Sequence, residues 1–277
     1  MVSPPSQMPE IEPSTMPEVS PPMPQTFQAP SGPHARVEKP KLSVVIPSYN
    51  EEGNVPLVAT ATHRALRAAG IEDYEIVFVN DGSRDGTLDQ IRAEVERDHR
   101  VRLLSLRRNS GETAATEAGI RHSRGDVVVV MDCDLQNDPT DIPRLLEKIG
   151  PYDCVCGYRE KRGEGDNLVK IVSSRVANGV RNWALGDGIR DSGCTFRAFK
   201  REALGRVKFF RGMHRFLPTL LQMEGFTVTE IPVKHHPRRL GQSKYGVLNR
   251  VFAASYDLLA VRWMRRRTIK WEVGEEA

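Results

Sequence analysis

Several features are scarce in this chain of 277 residues. No stretch approaches the roughly 18–20 consecutive apolar residues that a membrane-crossing helix requires. The first residues lack the basic start and apolar core of a secretory signal. Only four cysteines are present, Cys133, Cys154, Cys156 and Cys194, and no two of them form a CxxC pair. That argues against a disulfide or zinc framework and for a reduced intracellular chain. The formal net charge of +4 is too small to point to nucleic acid. No glycine-rich phosphate loop follows the first apolar segment, which weighs against a nucleotidyltransferase.

What is present divides unevenly. Eleven of the 19 prolines fall within the first 40 residues. Such a segment has little to pack and much that forbids helix, so residues 1–40 are expected to be a disordered tail. From Lys41 the pattern changes to short apolar runs alternating with amphipathic ones. "LSVVIPSYN", "YEIVFVNDG", "VRLLSLRRN" and "DVVVVMDCDLQ" read as strands, each of the first three followed by a helix-period segment. Strand–helix alternation predicts βαβ units and a mostly parallel central sheet with helices on both faces. Further on, helices are expected over 141–149 and 167–186, strands over 152–159 and 226–237, and a strand running into a short helix over 192–204. A last helix is expected from Tyr245 to about Arg267.

The run "VVVVMDCDLQ" sets four valines directly against two aspartates, Asp132 and Asp134. Apolar side chains on both faces suit a strand covered on both sides. In open sheets of this kind ligands bind outside the carboxyl ends of the strands. Parallel strands would bring three polar ends to one edge: Pro47, Ser48, Tyr49, Asn50 and Glu51; Asn80, Asp81 and Gly82; and Asp132, Asp134 and Gln136. Asn, Asp and Gly are default turn residues, so each group alone reads as turn capping. Three acidic ends together repel one another unless a cation joins them. Mg²⁺ fits, since it takes one or two carboxylates and completes its shell with substrate phosphates. The chemistry would be cleavage at a diphosphate, with the ion neutralising charge on the leaving group.

"VVIPSYNEEGN", "FVNDGSRDGT", "RGDVVVVMDCDLQNDP" and "RRLGQSKYG", in this order and spacing, resemble glycosyltransferase family 2, and within it the dolichyl-phosphate mannose synthase and polyprenyl-phosphate glycosyltransferase branch. The resemblance covers about Lys41 to Arg250. It implies an α/β GT-A fold, Rossmann-like, over residues 41–245. It also implies a nucleotide-sugar donor, Mg²⁺ or Mn²⁺, and inverting transfer to a lipid phosphate. Carried over to this chain, Pro47, Tyr49 and Glu51 would frame the nucleotide and Asp81 would bind the base. Asp132 and Asp134 would hold metal and diphosphate, with Gln136 at or near the ion. Arg239, Ser243 and Lys244 would cover the diphosphate. Glu112, in "RNSGETAA", stands where relatives often have Lys or Gln.

A phosphate acceptor is already an anion near neutral pH, so no base is needed; cations and aligned donors are. By the resemblance Arg159, Lys170 and Ser174 would bind that phosphate. Asp191 would lie near the sugar, as the base for a hydroxyl acceptor, or orienting the sugar or a cationic side chain for a phosphate one. The three counted as catalytic are Asp134, Asp191 and Arg239. His214, His235 and His236 read as strand-end or surface histidines. Residues 246–277 form a basic, amphipathic helix and tail: Pro237 to Arg267 holds eight Arg or Lys against one acid, Asp257. Such a helix can rest on an anionic surface or pack on the catalytic domain with its charges in water. Many family members continue into transmembrane helices here. A cytoplasmic enzyme touching the membrane peripherally, or through a partner subunit, is expected. GDP-mannose is the first expected donor and polyprenyl or dolichyl phosphate the acceptor. A UDP-sugar such as UDP-glucose, a hydroxyl acceptor, and a binding protein that has lost catalysis are the alternatives.

Overall fold

The computed structural model describes residues 41–159, 178–237 and 247–269, with only the backbone of 247–254 described. The expected proline-rich tail therefore lies outside the described residues. So do Lys170, Ser174, Arg239, Ser243 and Lys244. The described residues all belong to the unit Glu38–Ala277.

The alternation seen in the sequence becomes β1 (Leu42–Ser48), α1 (Val55–Ala68), β2 (Tyr74–Asn80), α2 (Thr87–Arg97), β3 (Val101–Ser105), α3 (Glu112–His122) and β4 (Val127–Val130). Then come α4 (Ile142–Lys148), β5 (Cys154–Arg159), the helical residues 178–185 (α5), β6 (Arg197–Lys200), α6 (Arg201–Gly205), α7 (Leu217–Met223), β7 (Val228–Val233) and α8 (Val247–Arg267). The seven strands form one sheet in the order β3-β2-β1-β4-β6-β5-β7. β1 to β4 are mutually parallel, and β6 runs antiparallel to both β4 and β5, so β5 and β7 share the direction of β4. This is the expected mostly parallel sheet, with one reversed strand.

Successive strand residues point to opposite faces, and each face has its own core. Val44, Ile46, Ile76, Phe78 and Val129 meet α1, α2 and α4 on one side through Val58, Leu66, Ile91 and Leu145. Val45, Val77, Val79, Val128 and Val130 meet α3, α6, α7 and α8 on the other through Ala115, Leu204, Leu220 and Val261. Gly119 of α3 lets that helix come close to β1; a Cβ there would lie 2.2 Å from Val45 Cγ1.

Two expectations need correction. The strand expected over 126–136 ends at Val130, because the chain turns at the aspartates and Leu135 adopts a positive φ of 58°. Nothing was expected over Leu217–Met223, which is helical: Pro218 sits in its first turn, where the missing N–H costs nothing.

Candidate active site at the carboxyl edge of the sheet

The chain winds outward from β1 to β2 and β3, then crosses back to β4 on the other side of β1. The crevice where the order reverses is where ligands bind in open α/β sheets. Ser48 to Glu51 leave β1 there and Met131 to Asp134 leave β4. Leu42 pairs with Val127 and Val45 with Val130, so β1 runs three residues beyond β4 and walls one side of the aspartates. Asn80 and Asp81 end β2 on the same edge. Because β6 is reversed, its start also comes to this edge and brings the loop carrying Asp191 and Thr195. β5 delivers Arg159, and β7 delivers His235 and His236.

Local chemistry holds the β1 and β2 ends together. Asn50, at φ 53°, donates its backbone N–H to Ser83 Oγ (3.0 Å) and accepts from Arg84 N–H through Oδ1 (2.8 Å). Glu51 donates its N–H to Thr87 Oγ1 (2.8 Å), and its Oε2 accepts from Asn54 Nδ2 (2.6 Å). Asp81 is buried, and its two oxygens accept the amides of Ser110 (2.7 Å) and Gly111 (2.9 Å) at the start of α3. That carboxylate joins the ends of β2 and β3, so a contact to a base would be a second use of it. Gly82 has no substitute in this turn: at φ 65°, a Cβ would lie 2.5 Å from the backbone of Arg108 and Asn109.

At the end of β4, Asp132 Oδ2 accepts the hydroxyl of Thr195 (2.7 Å), and buried Asp134 accepts the amide of Gln136 (3.0 Å). Cys133 between them is no nucleophile, since burial pushes its thiol far above the ordinary value. Asn50 and Leu135 are the two non-glycine residues with positive φ among the described residues, and both lie in this crevice. Backbone held in a sparsely populated region clusters at ligand sites, so these two φ values mark the crevice as one. The chain after β7 clamps the aspartate loop. Gln136 O accepts the His236 amide (2.9 Å), Gln136 Nε2 is 3.5 Å from His235 Nε2, and His236 Nε2 is 3.1 Å from Asp138 Oδ2. Burial alone would raise the Asp138 carboxyl, but the Thr140 hydroxyl and amide, His236 and Lys234 hold it at about 2.

On the β5–β6 side, Arg159 and Asp191 form a bidentate pair, Nε to Oδ2 at 2.7 Å and Nη2 to Oδ1 at 2.8 Å. Gly193 leaves room for this guanidinium; a Cβ there would sit 3.1 Å from Nη2. Arg197, fully buried at the start of β6, donates to the carbonyls of Ser192 (3.0 Å) and His214 and so fixes the loop. Glu112 faces His214 Nε2 at 3.8 Å, and the neighbouring Thr113 Oγ1 is 2.8 Å from His214 Nδ1.

The structure thus gathers Tyr49, Glu51, Asp81, Asp132, Asp134, Gln136, Arg159 and Asp191 at one edge. Thr195 and the clamp by His235 and His236 are what the sequence reading missed. Asp132 and Thr195 stand 63 residues apart, and only the reversal of β6 joins them. The aspartates also pass a test for a divalent ion. Two carboxylates, one steadied by a hydroxyl, suit a hard cation that completes its shell with diphosphate oxygens. Among the described residues no group of three or more His, Cys, Asp or Glu gathers to cage an ion by itself.

A seven-stranded, largely parallel sheet with a DxD at its switch point is the architecture of the GT-A fold. Residues 43–208 match the family model for glycosyl transferase family 2, and the chain belongs to that family. The dodecaprenyl-phosphate galacturonate synthase of Rhizobium johnstonii is 36% identical over 250 residues, 88% of this chain and 73% of that protein. An undecaprenyl-phosphate 4-deoxy-4-formamido-L-arabinose transferase from Pseudomonas paraeruginosa is 38% identical over 220 residues, 79% of this chain. This chain spans 64% of that protein's length. Glucosyl-3-phosphoglycerate synthase from Mycobacterium tuberculosis, solved with Mn²⁺, UDP-glucose and glycerol 3-phosphate, superposes with a TM-score of 0.61 at 20% identity, covering 90% of each chain. That likeness establishes the shared fold.

Proposed function

We propose that this chain transfers a sugar from a nucleoside diphosphate to a polyprenyl phosphate, with inversion and with Mg²⁺ or Mn²⁺ bound. The observation that carries the proposal is the meeting, at one sheet edge, of the Asp132–Asp134 pair and an Arg159 guanidinium held in a fixed plane by Asp191. Asp132 and Asp134 would hold the ion, with Gln136 beside it. When bound, the ion neutralises the charge that builds on the departing diphosphate. Pro47, Tyr49 and Glu51 line the β1 side for the nucleotide, and Asp81 meets the base. Arg239, Ser243 and Lys244, outside the described residues, follow the β7 clamp in sequence and would cover the diphosphate. Arg159, with Lys170 and Ser174, would hold the acceptor phosphate, an anion that needs alignment rather than deprotonation.

The relatives' names give galacturonate and 4-deoxy-4-formamido-L-arabinose, not mannose. The expectation of a GDP-mannose-using, dolichyl-phosphate mannose synthase-like enzyme therefore gives way to a UDP-sugar donor. UDP in the solved structures of the same fold supports this choice, and Mn²⁺ and Mg²⁺ there support the ion. A hydroxyl acceptor would require a carboxylate base. Asp191 is poorly suited to that, because both its oxygens already accept from a guanidinium.

The test is transfer of labelled sugar from UDP-galacturonate, UDP-glucose and GDP-mannose to a polyprenyl phosphate, with and without Mg²⁺ or Mn²⁺. A metal-dependent, organic-extractable product from a UDP-sugar is expected, abolished in Asp134→Ala. Product formed equally without metal, or full activity in Asp134→Ala, would refute the ion assignment. Donor hydrolysis without lipid product would refute the acceptor.

A further inference from the structure

Arg181 and Arg197 are both buried, and they are partnered differently. Arg181 of α5 pairs with buried Asp187 through both terminal nitrogens and also donates to Thr219 Oγ1 (2.7 Å). Arg197, 2% exposed, has no such acid among the described residues. Its partners there are two main-chain carbonyls, Ser192 O (3.0 Å) and His214 O, and its Nε is buried without a hydrogen bond. A buried charge is ordinarily paired, because taking it out of water is costly. Arg197 also stands in the sheet between Val130 of β4 and Cys156 of β5, where an apolar side chain would pack. Packing alone therefore does not account for a guanidinium at this place.

We infer that Arg197 is a positioning residue for the acceptor phosphate: it holds the loop that presents Asp191, and through Asp191 it sets the plane of the Arg159 guanidinium. This rests on the proposed role of Arg159. The Ser192 carbonyl bonded to Arg197 follows directly on Asp191, and the Ser192 hydroxyl donates to Asn178 Oδ1 (3.0 Å). On the other side of Asp191 the Arg190 amide donates to both oxygens of Glu230 (3.1 and 3.0 Å). The backbone is thus held on either side of Asp191, whose carboxylate meets Arg159 at 2.7 and 2.8 Å. Of these holds, Arg197 is the one that also reaches the nucleotide wall of the crevice. His214 O belongs to a turn whose Gly212 amide and His214 ring meet Thr113 Oγ1 in the first turn of α3, at 3.1 and 2.8 Å. The amides just before α3 hold Asp81. Donors fixed in one guanidinium plane therefore set the acceptor loop against that wall, which the point charge of a lysine does not do.

Arg197→Met keeps the reach of the side chain and removes its donors. Melting curves check that it folds, and Arg197→Lys, which can still donate to one carbonyl, takes its place if it does not. In transfer assays KM for a prenyl phosphate should rise at least about tenfold in Arg197→Met and about threefold in Arg197→Lys, with KM for the UDP-sugar within about twofold of its original value. The Asp191→Asn/Arg197→Met double variant should be no worse than Asp191→Asn alone, since both act through Arg159. A second readout needs neither substrate. In protein carrying isotope-labelled arginine, the NMR signal of Arg159 Nε–H is assigned by its loss in Arg159→Lys. Its exchange with water should be at least about tenfold faster in Arg197→Met. Unchanged acceptor KM in a folded, active variant overturns the inference, and so does unchanged exchange. Equal rises in the two KM values, which mark a general brace, also overturn it, as does a double variant whose loss is the product of the single ones. Faster exchange in a protein that transfers to no prenyl phosphate refutes the proposed function and leaves the positioning intact.

Discussion

Asp191→Asn asks the most of the proposed chemistry. The side chain keeps its size, but one of its two terminal atoms becomes an N–H₂ donor facing the donors of Arg159. Of the bonds at 2.7 and 2.8 Å, one is lost and the other loses its anionic acceptor. Bonds to a charged group contribute about 1.5–3 kcal/mol each. Arg159 is 21% exposed and Asp191 8%, so water recovers part of that loss, leaving about 2 kcal/mol. Two assays read it. In urea denaturation, a double-mutant cycle with Arg159→Gln should return a coupling of about 1–2 kcal/mol. In steady-state kinetics, if Asp191 works by orienting Arg159 toward the acceptor phosphate, KM for the prenyl phosphate should rise roughly 30-fold, that being about 2 kcal/mol. KM for the donor should change little. A fall in kcat of about 10²–10⁴-fold with the acceptor KM unchanged, and loss of the acidic limb of the pH–rate profile, would show Asp191 to be a general base. Asp191 would then act on the acceptor itself and not through Arg159.

Three further outcomes follow from the same geometry. Thr195→Val removes the hydroxyl that Asp132 accepts while keeping the shape, and the metal concentration for half-maximal activity should rise at least about tenfold; an unchanged activation curve would assign Thr195 to packing alone. Gly119→Ala would gain helix propensity, yet its Cβ would press on buried Val45 at 2.2 Å, so a net loss of about 1–3 kcal/mol is expected in chemical denaturation; equal or greater stability would show that α3 can move off β1. The Asp138 carboxyl lies below its ordinary 3.8, at about 2, so its stabilising contribution is present above pH 4 and is lost as pH falls toward 2. Acid unfolding of Asp138→Asn should therefore be flatter across that window, and a parallel curve would remove Asp138 from the account.

How much of this was legible in the sequence depends on whether the signal was local. The valines of β4 and the aspartates after them are adjacent, so the burial of one and the edge position of the other could be read together. The same holds for β1 and β2, whose apolar runs each end in turn residues. Pairings across the reversed strand left no such trace. β6 is four residues, Arg197–Lys200, and nothing in "RAFK" states its direction. That direction decides whether Thr195 reaches Asp132 and whether Asp191 reaches Arg159, so Thr195 went unnoticed and Asp191 was left between base work and orienting the sugar or a cationic side chain. Asp81 was ambiguous for a different reason. The residue type suits both a turn and a ligand contact, and only the amides of Ser110 and Gly111 show that it serves the turn.

The reversal of β6 also bears on how such an enzyme can change its substrate. Within the β1–β4 half of the sheet each strand leads to the next through one helix. β5 ends and β6 starts at the same edge of the sheet, at Arg159 and Arg197. A connection whose two ends are both pinned by the sheet can differ in length between relatives with no change in strand order. Under the proposed function the residues from Asp191 to Thr195 belong to the site, since they hold Arg159 and Asp132, so a graft of this connection between relatives would keep those two contacts and exchange what precedes them.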